Sequence, residues 1–222
     1  HTYPGIRSDS DMYTFGYKHK PWTGQPVAGA GAILEYLQEV IADDQIDEHI
    51  RYQHQVMTAS WSSTDQYWTV KANNKESGEE VHFRASFLWM CQGYYRHEKG
   101  YTPEWEGMAD FKGSIIHPQT WPQDLDYTDK KVVVIGSGAT AATLIPSMAD
   151  KCSHITMLQR SPTYFMASEN RNELADQLRE LGVPETWVHE IVRRSLLKQS
   201  RDIISLSKYK PEILKEELLK GA

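Results

Sequence analysis

Apolar positions change their spacing several times along this chain, and each change marks an element. Between Ala32 and Ala42, Ile33, Leu34, Leu37, Val40 and Ile41 recur at helical spacing and predict an amphipathic helix. Upstream of it, Tyr3 to Trp22 has no period and mixes Gly, Pro, Ser and Asp with Tyr, Phe and Trp. That texture predicts an ordered loop, because flexible linkers rarely carry so many aromatic residues. Downstream, Ile50–Tyr52, Val56–Ser62, Tyr67–Lys71 and Val81–Met90 read as strands, with Asn73-Asn74-Lys75-Glu76-Ser77-Gly78 turning between the last two. They predict a small antiparallel meander beside a larger sheet. Phe87-Leu88-Trp89-Met90-Cys91 is apolar throughout and ends at Gln92-Gly93, the pattern of a buried strand. A Pro-, Gly- and Trp-rich connector runs from Tyr94 to Pro122. A short buried strand (Val132–Ile135), a glycine turn, a helix (Ala139–Ala149) and a second strand (Ile155–Leu158) then form one βαβ unit. Beyond Ser168, Leu174, Leu178 and Leu181, then Val188, Ile191, Val192, Leu196 and Leu197, predict two or three helices and no strand.

Composition narrows the function classes. A chain of 222 residues with 40% hydrophobic residues makes one or two domains with a sizeable core, and the mean hydropathy of −0.59 is that of a water-soluble chain. The formal charge of −6 is spread over interspersed acids and bases, a poor match to a nucleic-acid or anionic-membrane binder. No apolar run reaches the roughly 18 residues of a membrane-spanning helix. Cys91 and Cys152 have neither metal-ligand nor disulfide spacing. Both adjoin apolar runs, which predicts buried thiols and a reducing cytoplasm. His1-Thr2-Tyr3-Pro4-Gly5 has no signal-peptide pattern, and both ends read as cut from a longer chain.

Chemistry concentrates in three places. Lys131-Val132-Val133-Val134-Ile135-Gly136-Ser137-Gly138-Ala139-Thr140-Ala141 puts G-x-G-x-x-A between a strand and a helix. There Gly136 permits a tight turn, Gly138 lets backbone approach a pyrophosphate, and Ala141 allows close packing of helix on strand. The bland alternative is an α/β turn without a ligand. After the second strand, where NAD-specific proteins place an acid on the ribose, this chain has Gln159-Arg160-Ser161-Pro162. Arg160 can fork onto a 2′-phosphate and Ser161 can donate a hydroxyl, which favours NADPH; the alternative is a solvated surface arginine. Finally, Phe111-x-Gly113-x-x-x-His117-x-x-x-Trp121-Pro122 spaces a histidine between an aromatic and a Trp-Pro pair. His117 suits a positioning role better than proton transfer, although a His before Pro is commonly structural. No metal-ligand spacing and no G-x-S-x-G elbow occurs.

The F-x-G-x-x-x-H-x-x-x-W-P stretch resembles the fingerprint of the type I Baeyer–Villiger and related flavin-containing monooxygenases. Tyr3-Pro4-Gly5-Ile6-Arg7-Ser8-Asp9-Ser10-Asp11-Met12-Tyr13, the Cys91-x-Gly93-Tyr94-Tyr95 strand end and Gln159-Arg160-Ser161-Pro162-Thr163-Tyr164 are similar to the ethionamide-activating branch of that family. The register is good from Tyr3 to about Phe165 and looser in the helical tail. The resemblance implies an α/β fold with two Rossmann-like dinucleotide-binding domains, both incomplete here. Residues 1–121 would be a partial FAD-binding domain with the β-meander and linker. Residues 122–222 would be a partial NADP-binding domain with a helical insertion.

It further implies that Arg7, Ser8 and Asp9 line the pocket between flavin and nicotinamide. Asp9 would stand opposite a catalytic arginine, although an isolated Asp in such a loop is most often a turn cap. Val56 would contact the FAD adenine through its backbone; taken alone it is a strand valine. Gly136, Ser137, Gly138, Ala139, Thr140, Ala141 and Ala142, with Arg160 and Ser161, would hold NADP(H). The implied activity is oxygenation of a ketone, or of a sulfur or nitrogen centre, by O2 through a flavin C4a-peroxide. The first FAD turn would lie before His1 and the catalytic arginine after Ala222, so the chain alone is expected to bind FAD poorly and not to turn over. Two other readings remain open. A pyridine-nucleotide flavoprotein reductase of the disulfide type needs a Cys pair that Cys91 and Cys152 do not supply. A non-catalytic nucleotide-binding fragment is the other.

Overall fold

The computed structural model describes residues 2–161, 163, 165 and 168–220, with Lys220 described by its backbone alone. Pro162 and Tyr164 of the arginine-bearing stretch therefore lie outside the described residues. The elements are α1 (Met12–Phe15), α2 (Ala30–Asp43), β1 (His54–Ser62), β2 (Tyr67–Asn74), β3 (Glu80–Ala85), β4 (Lys131–Ile135), α3 (Ala139–Met148), β5 (His154–Leu158), α4 (Glu173–Glu180), α5 (Glu185–Tyr209) and α6 (Pro211–Lys220). They fall into two units, His1–Gln38 with Tyr101–Ala222, and Glu39–Gly100. The residue 121/122 division drawn from the resemblance lies inside the first unit, whose two segments fold together.

The second unit is the meander, an antiparallel sheet in the order β1-β2-β3. Its turns follow from side-chain chemistry. Ser62 Oγ bonds to Asp65 Oδ2 at 2.7 Å, Asn74 Oδ1 accepts from the Glu76 amide at 2.9 Å, and Gly78 takes φ +74°. Burial is concentrated on the middle strand, at Val70 and Ala72. Two expectations fail here. Ile50–Tyr52 is not a strand, because a 3-10 turn at Asp47–His49 and a left-handed Gln53 (φ 57°) delay extension until His54. The sheet also stops at Ala85. Phe87 and Trp89 are 75% and 79% exposed, and Cys91 is exposed rather than buried. A strand apolar on both sides needs cover on both faces, and no described element of this unit covers this run.

In the first unit β4 and β5 pair in parallel from Lys131↔His154 to Ile135↔Leu158, with α3 as the crossover. Together they form the expected βαβ unit. β4 is half-buried rather than buried: Val132 and Val134 turn inward while Val133 and Ile135 stay exposed. α3 buries Ala141, Thr143, Leu144 and Met148. Among the described residues the tail is helical as predicted, in three helices. α4 is capped by Asn172, whose Oδ1 accepts from the Ala175 amide at 3.1 Å.

The opening loop holds an element that periodicity missed. α1 is a single turn, capped by Asp11 Oδ1 accepting from the Tyr13 amide at 2.9 Å. It packs on α5, so Met12 and Tyr13 share a core with Val188 and Val192, both fully buried. Each such side chain contributes roughly 1.5–3 kcal/mol by leaving water, which anchors the opening loop to the tail.

Candidate functional site

The glycine turn links the end of β4 to the start of α3. The Gly136 amide donates to Leu158 O of β5 at 2.9 Å, which fixes the turn to the sheet. Gly136 sits at φ +119°, backbone that side-chain-bearing residues rarely adopt, and Gly138 is the N-cap of α3 at φ −79°. A Cβ added at either glycine would meet nothing within 4 Å. Space therefore opens in front of a helix N-terminus, whose first amides have no intrahelical partners and whose dipole favours an anion. Ser137 Oγ lies 2.8 Å from Thr163 Oγ1, so the turn also contacts the segment that follows Arg160 and Ser161. Both of those residues are exposed just past β5.

A second set of candidates sits on the loop before α1. Arg7 pairs with Gly29 as an antiparallel bridge, Ser8 N–H donates to Ala28 O at 2.8 Å, and the Ala28 amide donates to Ser8 Oγ at 3.1 Å. This pairing leaves Arg7 and Asp9 exposed. Ser8, Asp9 and Ser10 edge a cleft of about 390 Å³ whose walls include Phe15, Tyr17, Ile33, Tyr36 and Leu37. The capping role that an isolated Asp invites belongs to Asp11, not to Asp9.

The elements that carry these two sets touch at Gly5. Its φ is +75°, and an added Cβ would lie 1.7 Å from Ser147 Oγ and 3.2 Å from Thr143 O on α3. The helix that begins at the glycine turn thus packs against backbone two residues from Arg7. His117 serves as N-cap of the 3-10 turn Pro118–Thr120. Its Nδ1 accepts from the Gln119 amide at 3.2 Å, which leaves the proton on Nε2 in the neutral ring. Val56 lies on β1 in the other unit, 61% exposed and beside the bulge between Val56 and Thr58.

The sequence reading missed the groups that hold the loop from behind. Arg179 donates to Tyr13 Oη at 2.8 Å and pairs with Glu185 at 2.7 Å. Glu185 chiefly, with Tyr13, raises the guanidinium pKa above its usual range; burial raises that of the Tyr13 phenol, against the lowering influence of Arg179. Arg193 donates to Thr14 O and Gly16 O at 2.8 and 3.3 Å. The opening-loop groups they bind are more than 160 residues away, so no local pattern announces these contacts.

Between these arginines His189 is 1% exposed, its ring 5.9 Å from that of Tyr13, and among the described residues Nε2 has no hydrogen-bond partner. Burial first, and the Arg193 charge second, hold its pKa below the ordinary 6.5. The unfolded chain therefore takes up a proton near pH 6.5 that the folded chain refuses, and stability falls as pH drops below that value. The melting temperature should fall less between about pH 7.5 and about pH 5.5 in His189→Leu than in the parent protein. Equal losses in the two proteins would rule His189 out as the titrating group.

Among the described residues no cluster of three His, Cys, Asp or Glu is placed to hold a metal ion, and no helix is long and apolar enough to cross a membrane.

The flavin-binding monooxygenase-like family matches residues 28–198. The FAD-containing monooxygenase EthA of Mycobacterium tuberculosis is 48% identical over 201 residues, covering 89% of this chain and 40% of that protein. A steroid monooxygenase solved with NADP is 31% identical at a TM-score of 0.60, covering 74% of this chain and 31% of its own. OTEMO, solved with FAD and NADP, is 28% identical at a TM-score of 0.62, covering 81% and 35%. The chain spans less than half the length of these relatives, and it belongs to the flavin-binding monooxygenase-like family.

Proposed function

We propose that this chain is part of an NADPH- and FAD-dependent monooxygenase that transfers one oxygen atom of O2 to a small ketone, in the Baeyer–Villiger manner, or to a sulfur or nitrogen centre. The observation that carries the reading is the Gly136–Gly138 turn, which opens on free space at the head of α3 while the same helix packs on Gly5. That space fits a pyrophosphate, which needs close backbone approach and unpaired amides. Family membership and relatives solved with NADP support the assignment.

On this reading Gly136, Ser137, Gly138, Ala139, Thr140, Ala141 and Ala142 cradle the pyrophosphate, and Arg160 with Ser161 takes the 2′-phosphate. Ser8 and Asp9, next to Arg7 in the chain, present polar groups at an apolar cleft, an arrangement suited to a planar aromatic ring. Asp9 there orients cationic or donor groups near the flavin, Val56 offers backbone to the adenine, and His117 positions the connector through the turn it caps. Residues 1–121 then serve the flavin domain and 122–222 the nicotinamide domain of a cytoplasmic enzyme. NADPH held by Gly136–Ala142, Arg160 and Ser161 would supply a hydride, and a flavin beside Arg7, Ser8 and Asp9 would supply the redox chemistry by which, with one proton taken up, one atom of O2 enters the substrate and the other leaves as water.

Arg160→Ala, made in the complete enzyme of which this chain is part, tests the coenzyme assignment. A charge-assisted bond to a phosphate contributes about 1.5–3 kcal/mol, so KM for NADPH should rise on the order of 10- to 100-fold while KM for NADH changes less than about threefold. Parallel losses for both coenzymes would remove Arg160 from the 2′-phosphate site.

A further inference from the structure

Two hydroxyls face each other at the glycine turn. Ser137 Oγ and Thr163 Oγ1 lie 2.8 Å apart, and either can be the donor. Among the described residues neither side chain makes another hydrogen bond. Ser137 is half-buried between Gly136 and Gly138, and Thr163 is exposed. The backbone of the turn is separately tied to β5, through the Gly136 amide on Leu158 O at 2.9 Å.

A hydroxyl has one proton to give, so the direction of this bond decides which proton stays free. An ionised phosphate imposes a direction, because its oxygens only accept. If Ser137 donates to Thr163, its proton is spent inside the protein. If Thr163 donates to Ser137, the Ser137 proton is left for the phosphate, and hydroxyls bonded in series make the last one a stronger donor. Ser137 is the member of the pair that stands at the open space, since a Cβ on the glycine at either side would meet nothing within 4 Å.

We propose that Thr163 is a positioning residue for the coenzyme: it donates to Ser137 and so directs the Ser137 proton to the pyrophosphate in front of α3. The assignment rests on the nicotinamide reading above. It concerns the part of the coenzyme that NADP⁺ and NAD⁺ share, unlike the role given to Arg160.

The test measures Kd for NADP⁺ and for NAD⁺ by calorimetry on the complete flavin-loaded enzyme. Ser137→Ala removes a hydrogen bond to a charged group and should raise both values on the order of 10-fold. Thr163→Val keeps the shape without the hydroxyl and should raise both about three- to fivefold, because Ser137 must then orient its proton unaided. Thr163→Ser should restore both to within about twofold of the parent. In the Ser137→Ala background Thr163→Val should add less than about 1.5-fold, since the proton it directs is gone. Without coenzyme, the melting temperature of Thr163→Val should stay within about 2 °C of the parent. Losses that multiply in the double variant would overturn the proposal. So would a Thr163→Val loss confined to NADP⁺, which would move Thr163 to the 2′-phosphate, or one matched by a lower melting temperature, which would make the bond structural. Unchanged affinity in Thr163→Val beside a weakened Ser137→Ala refutes the role of Thr163 alone. If Ser137→Ala itself leaves both Kd values unchanged, no pyrophosphate engages this turn through Ser137, and the coenzyme reading fails first.

Discussion

Gly5→Ala should destabilise the protein by about 2–5 kcal/mol, the sum of two separate costs. The first is conformational: φ +75° costs an L side chain roughly 1–2 kcal/mol. The second is steric. The new Cβ would fall 1.7 Å from Ser147 Oγ, and rotating that hydroxyl away does not help, because Ser147 Cβ itself is 2.7 Å distant. Either the loop or α3 must therefore shift, at the roughly 1–3 kcal/mol typical of overpacking. Against a net stability of about 5–15 kcal/mol such a loss is large, and urea denaturation would register it as a lower midpoint. The double variant Gly5→Ala, Ser147→Gly separates the terms. It relieves the clash but keeps the left-handed strain and adds about 0.5 kcal/mol of helix propensity loss, so only part of the stability should return. A Gly5→Ala protein with an unchanged midpoint would mean that the loop does not pack on α3.

That contact illustrates where sequence reading succeeds and where it stops. The turn chemistry around Gly136, the helix at Ala30–Asp43 and the βαβ order are legible because each is carried by residues close in the chain. The meander strands are legible for the same reason, down to the Asn74–Gly78 turn. α1 is not, since four residues are too few to display a helical period; only Asp11 ahead of two apolar residues hints at it. Phe87–Cys91 misleads for another reason: hydrophobicity declares a need for cover but says nothing about what provides it. Candidate site residues on the glycine turn and on Tyr3–Tyr13 could be named from motif and resemblance. The groups that hold the opening loop behind the second set, Arg179 and Arg193, could not. The loop groups they bind lie far off in sequence, and an Arg within a helical tail is ordinarily a solvated residue.

Gly138 offers the sharpest test of the dinucleotide turn, because folding and binding make opposite demands there. At φ −79° and ψ −176° the backbone suits any residue, and a Cβ would meet nothing. Gly138→Val should therefore fold normally, with a melting temperature within about 3 °C of the parent, the difference coming from a poorer N-cap. Gly136 does not allow this separation, since its φ of +119° would strain any replacement before a ligand arrived. If a pyrophosphate occupies the space in front of α3, the valine branches must displace it from the helix amides. A loss of about 2–3 kcal/mol follows, so Kd for NADP⁺ should rise on the order of 100-fold, with Gly138→Ala between parent and valine. The graded response matters as much as its size. A ligand held elsewhere would ignore side-chain volume at residue 138, whereas one seated on the turn must weaken in step with it. Unchanged affinity in a well-folded Gly138→Val protein would leave the space before α3 without a phosphate to fill it.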